Sequence, residues 1–296
     1  MKLTRIAAAS VAALVSVGVV LGVAGCAPAT DTTSKPIVIG SQAYYSNEII
    51  AEAYAQVLED GGFTVDRQFS LGQRDVYVPA LLAGEIDLFP EYTGNLLQFF
   101  DPAATATATN DVYAALKTAL PKGLTALDMS PATDQDSYNV TQDFAKANGL
   151  ESIADLAKLT NLKLGGAPEL AERPYGPKGL LEKYGVTVSF EATGDTTVDS
   201  LVAGMVDMAN VYSADPRIQQ LKLVTLADPQ GLFLASNVVP IASDNVNDKA
   251  RSLVNAVSSA MTAQDLVALN VRSVDEKLSA SVIAHDWLVS KGLLKN

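Results

Sequence analysis

Cysteine and histidine are nearly absent: the 296-residue chain holds one of each, Cys26 and His285. One Cys excludes an intramolecular disulfide, and one Cys with one His is too few for a Cys/His zinc site. Ser-His-Asp or Cys-His catalysis would have to use His285. No Gly-x-Ser-x-Gly, His-Glu-x-x-His or Gly-x-x-x-x-Gly-Lys pattern occurs. Basic residues are the minority, 21 against 33 acids, for a net charge of −12. That sign opposes nucleic-acid binding, which needs a basic face. Aromatics are sparse at 6%, against 48% hydrophobic residues overall. No cofactor or metal site is expected from this inventory.

The first 25 residues differ from the rest. Lys2 and Arg5 start the chain, and residues 6–25 (IAAASVAALVSVGVVLGVAG) carry no charge. A basic start, an apolar run and small residues before a cut site read as a secretory signal over 1–25. A membrane anchor is the alternative, since the run is about long enough to span a bilayer. Val23-Ala24-Gly25-Cys26 decides for the signal, because it resembles a bacterial lipobox, in which the Cys is lipidated. Residues 26–35 then read as a lipidated tether. Without residues 1–25, 19 bases face 33 acids, a net charge of −14. No later run approaches the roughly 18 apolar residues of a span. An exported protein, held at the membrane by Cys26, is expected.

Short β-branched runs alternate with helical patterns, which predicts an α/β fold with parallel or mixed sheets. Ten strands are expected, at 37–40, 64–69, 87–89, 124–127, 138–141, 162–164, 186–190, 208–211, 221–225 and 238–241. Helices are expected at 47–59, 76–83, 111–119, 178–184, 198–203, 246–260, 263–272 and 275–290.

An internal repeat carries most information. Leu81–Tyr92 (LLAGEIDLFPEY) aligns with Leu201–Tyr212 (LVAGMVDMANVY) at an offset of 120, with five identities in twelve. Gly62–Val65 echoes Gly185–Val188, and Ile37–Gly40 echoes Leu162–Gly165. Each copy reads strand, helix, strand, helix, Ala-Gly, short strand, Tyr. Gly84 and Gly204 are expected to end their helices with positive φ. Tyr92 and Tyr212 follow strand ends on the side where open α/β sheets bind ligands. Two related lobes with a cleft between them are expected.

At these residues the sequence resembles the substrate-binding proteins of osmoprotectant ABC importers, from about Lys35 to the C-terminus. The markers are Val38–Ser41, Ala83–Gly94 (AGEIDLFPEYTG), Asp136–Tyr138, Ile153–Leu156, Glu172–Gly176, Val211–Ile218 and Val238–Pro240. The resemblance implies a two-lobed periplasmic-binding-protein fold of type II with two crossovers. Lobe 1 would hold 36–136 and 237–296, and lobe 2 would hold 137–236. The ligand implied is a small quaternary ammonium compound. Such a group has no N–H to donate, so aromatic faces must hold it, at about 0.5–2 kcal/mol per contact.

Carried over by position, Tyr92, Tyr138 and Tyr212 fall at cage tyrosines, and Phe233 falls near a fourth. Asp136 falls where an acid often lies near the cage. Arg173 falls where a guanidinium clamps a ligand carboxylate. Many relatives read Gly-Ser-Lys near the first strand, where this chain has Gly40-Ser41-Gln42, and Asn95 stands where several have Thr. Losing that Lys leaves Arg173 as the main partner of a carboxylate. That departure weighs against glycine betaine itself and leaves choline, carnitine, proline betaine and larger betaines, including those of histidine type, open. Tyr44 and Tyr45 read as packing or loop residues, with the enlarged end of the site as their alternative place. Trp287 reads as core, and His285 as an exposed or satisfied residue.

The function implied is capture of a quaternary amine for a separate ABC permease and ATPase, by a monomer at the extracytoplasmic face. A two-lobed sensor uncoupled from import is one alternative. A lipid-anchored hydrolase is another, and it would draw on a carboxylate pair such as Glu85 with Glu91. Cys26→Ser is expected to release the protein from membranes, measured by fractionation; retention on the membrane would favour an uncleaved anchor.

Overall fold

A computed structural model describes residues 35–294. The expected signal, Cys26 and all of the tether except Lys35 lie outside the described residues.

Among the described residues ten strands form at the ten expected places, their ends within three residues of expectation. They are β1 (Ile37–Gly40), β2 (Val65–Gln68), β3 (Leu88–Tyr92), β4 (Leu124–Ala126), β5 (Asp136–Val140), β6 (Leu162–Gly166), β7 (Val188–Ala192), β8 (Met208–Tyr212), β9 (Val224–Thr225) and β10 (Val238–Ser243). They make two five-stranded sheets, ordered β2-β1-β3-β10-β4 and β7-β6-β8-β5-β9. β1 is parallel to β2 and β3, and β6 is parallel to β7 and β8. β10 runs antiparallel to β3 and β4, and β5 runs antiparallel to β8 and β9. The sheets are therefore topological copies. In each, the antiparallel strand is the one the chain enters after crossing from the other sheet.

The repeat is built from the same local devices twice. Gly84 and Gly204 both take left-handed φ, 71° and 70°, where an L side chain is strained. Each turn delivers an Asp to the edge of the next strand. Asp87 N donates to Val38 O at 2.8 Å, and Asp87 Oδ2 accepts from Val38 N at 3.0 Å. Asp207 does the same with Lys163, at 3.0 and 2.9 Å. Each Asp thus pins the start of its strand to the first strand of its own copy. Asp87 is buried and also accepts from Ser243 and Asn245. Asp207 is half-buried.

The helix Tyr45–Asp60 buries residues on several faces, because the C-terminal helices Asp248–Ala260 and Ala280–Ser290 cover its outer side. Ile50, Tyr54 and Leu58 share one core with Val254, Ile283 and Leu288. Trp287 belongs to that core, and His285 is exposed. The last helix begins at Ala280 rather than 275. Ser279 caps it by accepting from Val282 N, and Lys277 just before takes φ 56°.

Three α-helices form where none was expected: Thr93–Phe100, Gln142–Asn148 and Arg217–Gln220. The first matters for function. It starts directly at the end of β3 with no side-chain cap, so the usual start signal is missing. Gly94 within it lets the helix lie against the second crossover; a Cβ there would sit 2.7 Å from Ala235 O. No described helix is long and apolar enough to cross a membrane.

Asp87→Ala is expected to lower stability by about 3 kcal/mol and Asp207→Ala by about 1 kcal/mol in denaturant melts, because only Asp87 leaves several buried donors unpaired. Equal losses would mean that burial does not set the difference.

Candidate functional site

The C-terminal ends of β3 and β8, the central strands of the two sheets, meet at one cavity. Tyr92 ends β3 and Tyr212 ends β8. Both side chains line one inner cavity with Gln42, Tyr44, Arg74, Asn95 and Asp134. Tyr44 follows the C-terminal end of β1, so the same edge of the sheet supplies it. Its ring lies 5.1 Å from Tyr212, at 47°, and 4.7 Å from Tyr45. The inner cavity is about 10 Å³, room for about one water. The Tyr44 and Tyr212 rings are in contact, so the cavity as it stands is too small for a trimethylammonium group. Outside them lies an open cleft of about 620 Å³, with walls from Gln42–Tyr45 on one side and Ala167–Glu169 and Tyr212 on the other.

Acids and bases at this place are paired unevenly. Arg74 grips Glu91 with two hydrogen bonds, Nε to Oε1 at 3.0 Å and Nη2 to Oε2 at 2.7 Å, both groups buried. Burial works to lower the Arg74 pKa, but the Glu91 carboxylate outweighs it and raises it well above the usual guanidinium value. Tyr77 donates to Glu91 as well, and Gln42 Nε2 donates to Tyr77 Oη at 3.1 Å. Gln42 therefore ends a buried chain that leads to a cation. A Lys in its place would put a second cation in the chain that Arg74 already occupies.

Asp134 lies on the first crossover, between β4 and β5. Its Oδ2 accepts from Tyr44 Oη and its Oδ1 accepts from Ala214 N, each at 3.0 Å. Burial pushes its carboxyl up to about 7, against those two hydrogen bonds. Burial raises Asp136 too, with the Asn95 amide opposing the rise. Burial raises the hydroxyls of Tyr44 and Tyr212 well above 10, so both rings are neutral phenols at pH 7.

The structure brings some of the expected site residues together and not others. Tyr92, Tyr212, Gln42 and Asn95 meet at the inner cavity. Asp136 and Arg173 line an adjoining cavity that shares Arg74 and Tyr212 with the first. Arg173 Nη2 is buried with no hydrogen-bond partner among the described residues. Asn95 bridges the lobes: Nδ2 donates to Asp136 Oδ2 at 2.6 Å and to Tyr175 Oη at 3.1 Å, while Oδ1 accepts from Ser236 Oγ.

Tyr138 and Phe233 are not brought to either cavity wall. Both lie in the core of the second sheet's lobe, rings 5.1 Å apart, with Tyr138 fully buried. Tyr138 Oη donates to Tyr175 O, and the Tyr175 ring lies 5.7 Å from Phe233. Tyr138 stands two residues beyond Asp136 on β5, about 7 Å deeper along the strand, and Tyr175 occupies the space in front of it.

Tyr44, Arg74 and Asp134 are the site residues that sequence reasoning missed or ranked as packing. Tyr44 carried a usable signal, its place just after β1, the same rule that singled out Tyr92 and Tyr212. Arg74 and Asp134 carried none.

The family described as the substrate binding domain of ABC-type glycine betaine transport system (OpuAC) matches residues 35–290. The glycine betaine-binding protein YehZ of Escherichia coli (strain K12) is 28% identical over 282 residues, 88% of this chain and 92% of that protein. The carnitine transport binding protein OpuCC of Listeria monocytogenes is 25% identical over 277 residues, covering 88% and 89%. A crystal structure of a glycine betaine/carnitine/choline ABC transporter protein superposes with a TM-score of 0.71 at 21% identity, over 87% of this chain and 99% of that one. That likeness shows the shared two-lobed periplasmic-binding-protein fold. With the family match covering nearly all described residues, the chain belongs to the substrate-binding domains of ABC-type glycine betaine transport systems.

Proposed function

We propose that this protein captures a small quaternary ammonium compound between its lobes and hands it to an ABC permease, with Tyr44, Tyr92 and Tyr212 as the walls of the cage. The observation that carries this is the meeting of two repeat-equivalent tyrosines, one from each sheet, at a single cavity beside a third ring and a buried carboxylate. A trimethylammonium group presents only C–H surface bearing positive charge. Neutral phenol faces attract it through their quadrupole and ask for no hydrogen bond in return. Because the rings come from both lobes, the cage exists only when the lobes are together, so ligand binding and closure are one equilibrium. The family's glycine betaine and carnitine relatives support this class of ligand.

The unpartnered Arg173 lies in the adjoining cavity, placed to take a carboxylate when the ligand has one. Tyr138 and Phe233 serve the site from behind, by holding Tyr175 and through it Asn95. Attachment at Cys26 would keep the binder near its permease; the lipobox-like segment supports that part.

Calorimetric titration with choline and glycine betaine tests the reading. Tyr44→Ala, Tyr92→Ala and Tyr212→Ala are each expected to weaken binding by about 1–3 kcal/mol. Unchanged affinity in all three would remove the cage. Arg173→Ala is expected to weaken glycine betaine far more than choline, and equal losses would make Arg173 structural. In thermal melts, a true ligand in large excess raises Tm by mass action.

A further inference from the structure

Asp134 is 2% exposed, yet no Lys, Arg or His lies within ion-pairing distance of it among the described residues. A buried carboxylate ordinarily has a cationic partner or gives up its charge. The groups facing Asp134 come from every surrounding element. Tyr44 and Tyr45 come from the start of the first helix, Tyr92 from β3, Tyr212 and Asp215 from the end of β8, and Asp136 from its own segment. The nearby cations are already committed. Arg217 is held by Asp215, with 3.0 and 2.6 Å contacts, and Arg74 by Glu91. Two hydrogen bonds use only part of the acceptor capacity of Asp134.

The adjoining cavities thus contain two buried acids without an ion-pair partner, Asp134 and Asp136, against one uncommitted guanidinium, Arg173. The outer cleft has the same bias. Glu48, Glu169, Asp195 and Asp215 line it against Arg217 and Lys277. The inner cavities thus hold one buried acid more than they hold free cations.

We infer that Asp134 is a specificity-determining residue of the cleft: its carboxylate is the counter-ion of the ligand's quaternary nitrogen, so the site favours ligands of net positive charge over zwitterions. The inference rests on the proposed function of the same cleft. It has a consequence for protons. Without ligand, burial pushes the carboxyl up to about 7, so part of the population is protonated at neutrality. A cation in the cage favours the ionised form and expels that proton. No bond other than O–H breaks, and the proton leaves to buffer. Binding therefore tightens as pH rises through the neutral range and releases protons to the buffer.

The test is isothermal titration of the full-length protein with choline and with glycine betaine at pH 6, 7 and 8, in buffers of different ionisation enthalpy. Wild type is expected to bind choline more tightly than glycine betaine and to release protons as stated. Asp134→Asn is expected to weaken choline at least tenfold, to abolish proton release and to flatten the pH profile, with a smaller loss for glycine betaine. Tyr44→Phe covers the case in which Asp134→Asn does not fold. It keeps the ring and removes one hydrogen bond to the carboxylate, so proton release at pH 7 is expected to exceed that of wild type. Asp134→Asn binding choline as tightly as wild type, or losing choline and glycine betaine affinity equally, overturns the assignment alone. Wild type that binds no onium compound overturns the cage reading and the assignment with it.

Discussion

Two chain crossings hold the halves of this protein together, and each enters the far sheet as its antiparallel strand. That arrangement fixes the geometry of everything in the cleft. β10 pairs with β3 so that Val238 stands opposite Tyr92, and β5 pairs with β8 so that Asp136 stands opposite Tyr212. The ends of the two repeat copies are thereby brought to the lines along which the chain crosses. Asp134, Asp136 and Ser236 lie on or beside those lines. Asn95 and Tyr44 reach across to them from the first sheet's side. A change in the angle between lobes must therefore act first on these polar contacts and on the Tyr44–Tyr212 ring pair.

Charge decides what such a cleft accepts. The Arg74–Glu91 pair is buried and mutually satisfied, so it contributes shape and rigidity and little net field. Asp134 has no such partner, and the low dielectric that makes its ionisation costly also makes a nearby cation effective. In the proposed cage, neutral tyrosine faces and a buried carboxylate would act on the same group in different ways, the rings through their quadrupole and the acid through its charge. Neither interaction uses a hydrogen bond from the ligand nitrogen, which has none to give.

Much of this was legible in the sequence. The 120-residue offset between the two Ala-Gly…Tyr segments marks both sheet copies, the two strand-end tyrosines that meet at the cavity, and the two glycines and two aspartates that build the turns. The strands could be read because β-branched runs between turn residues carry a strong local signal. Tertiary placement could not be read in the same way. Tyr138 has the residue type of a cage wall, but its depth along β5 puts it behind Tyr175, and depth depends on how the neighbouring loop folds over it. Asp134 and Arg74 carry no periodicity and no motif. What sets them apart is the absence or presence of a buried counter-charge, which only the folded chain reveals. The helix Thr93–Phe100 was missed because its start is governed by the end of β3 and the close approach of the crossover, and not by a capping side chain.

The most direct test of the cage is a crystal structure of the protein grown with choline. The nitrogen is expected within about 6 Å of the ring centroids of Tyr44, Tyr92 and Tyr212, on the Asp134 side of the cavity, with the rings spread to admit it. A nitrogen resting against Tyr138 and Phe233, or held in the outer cleft away from Asp134, would contradict it.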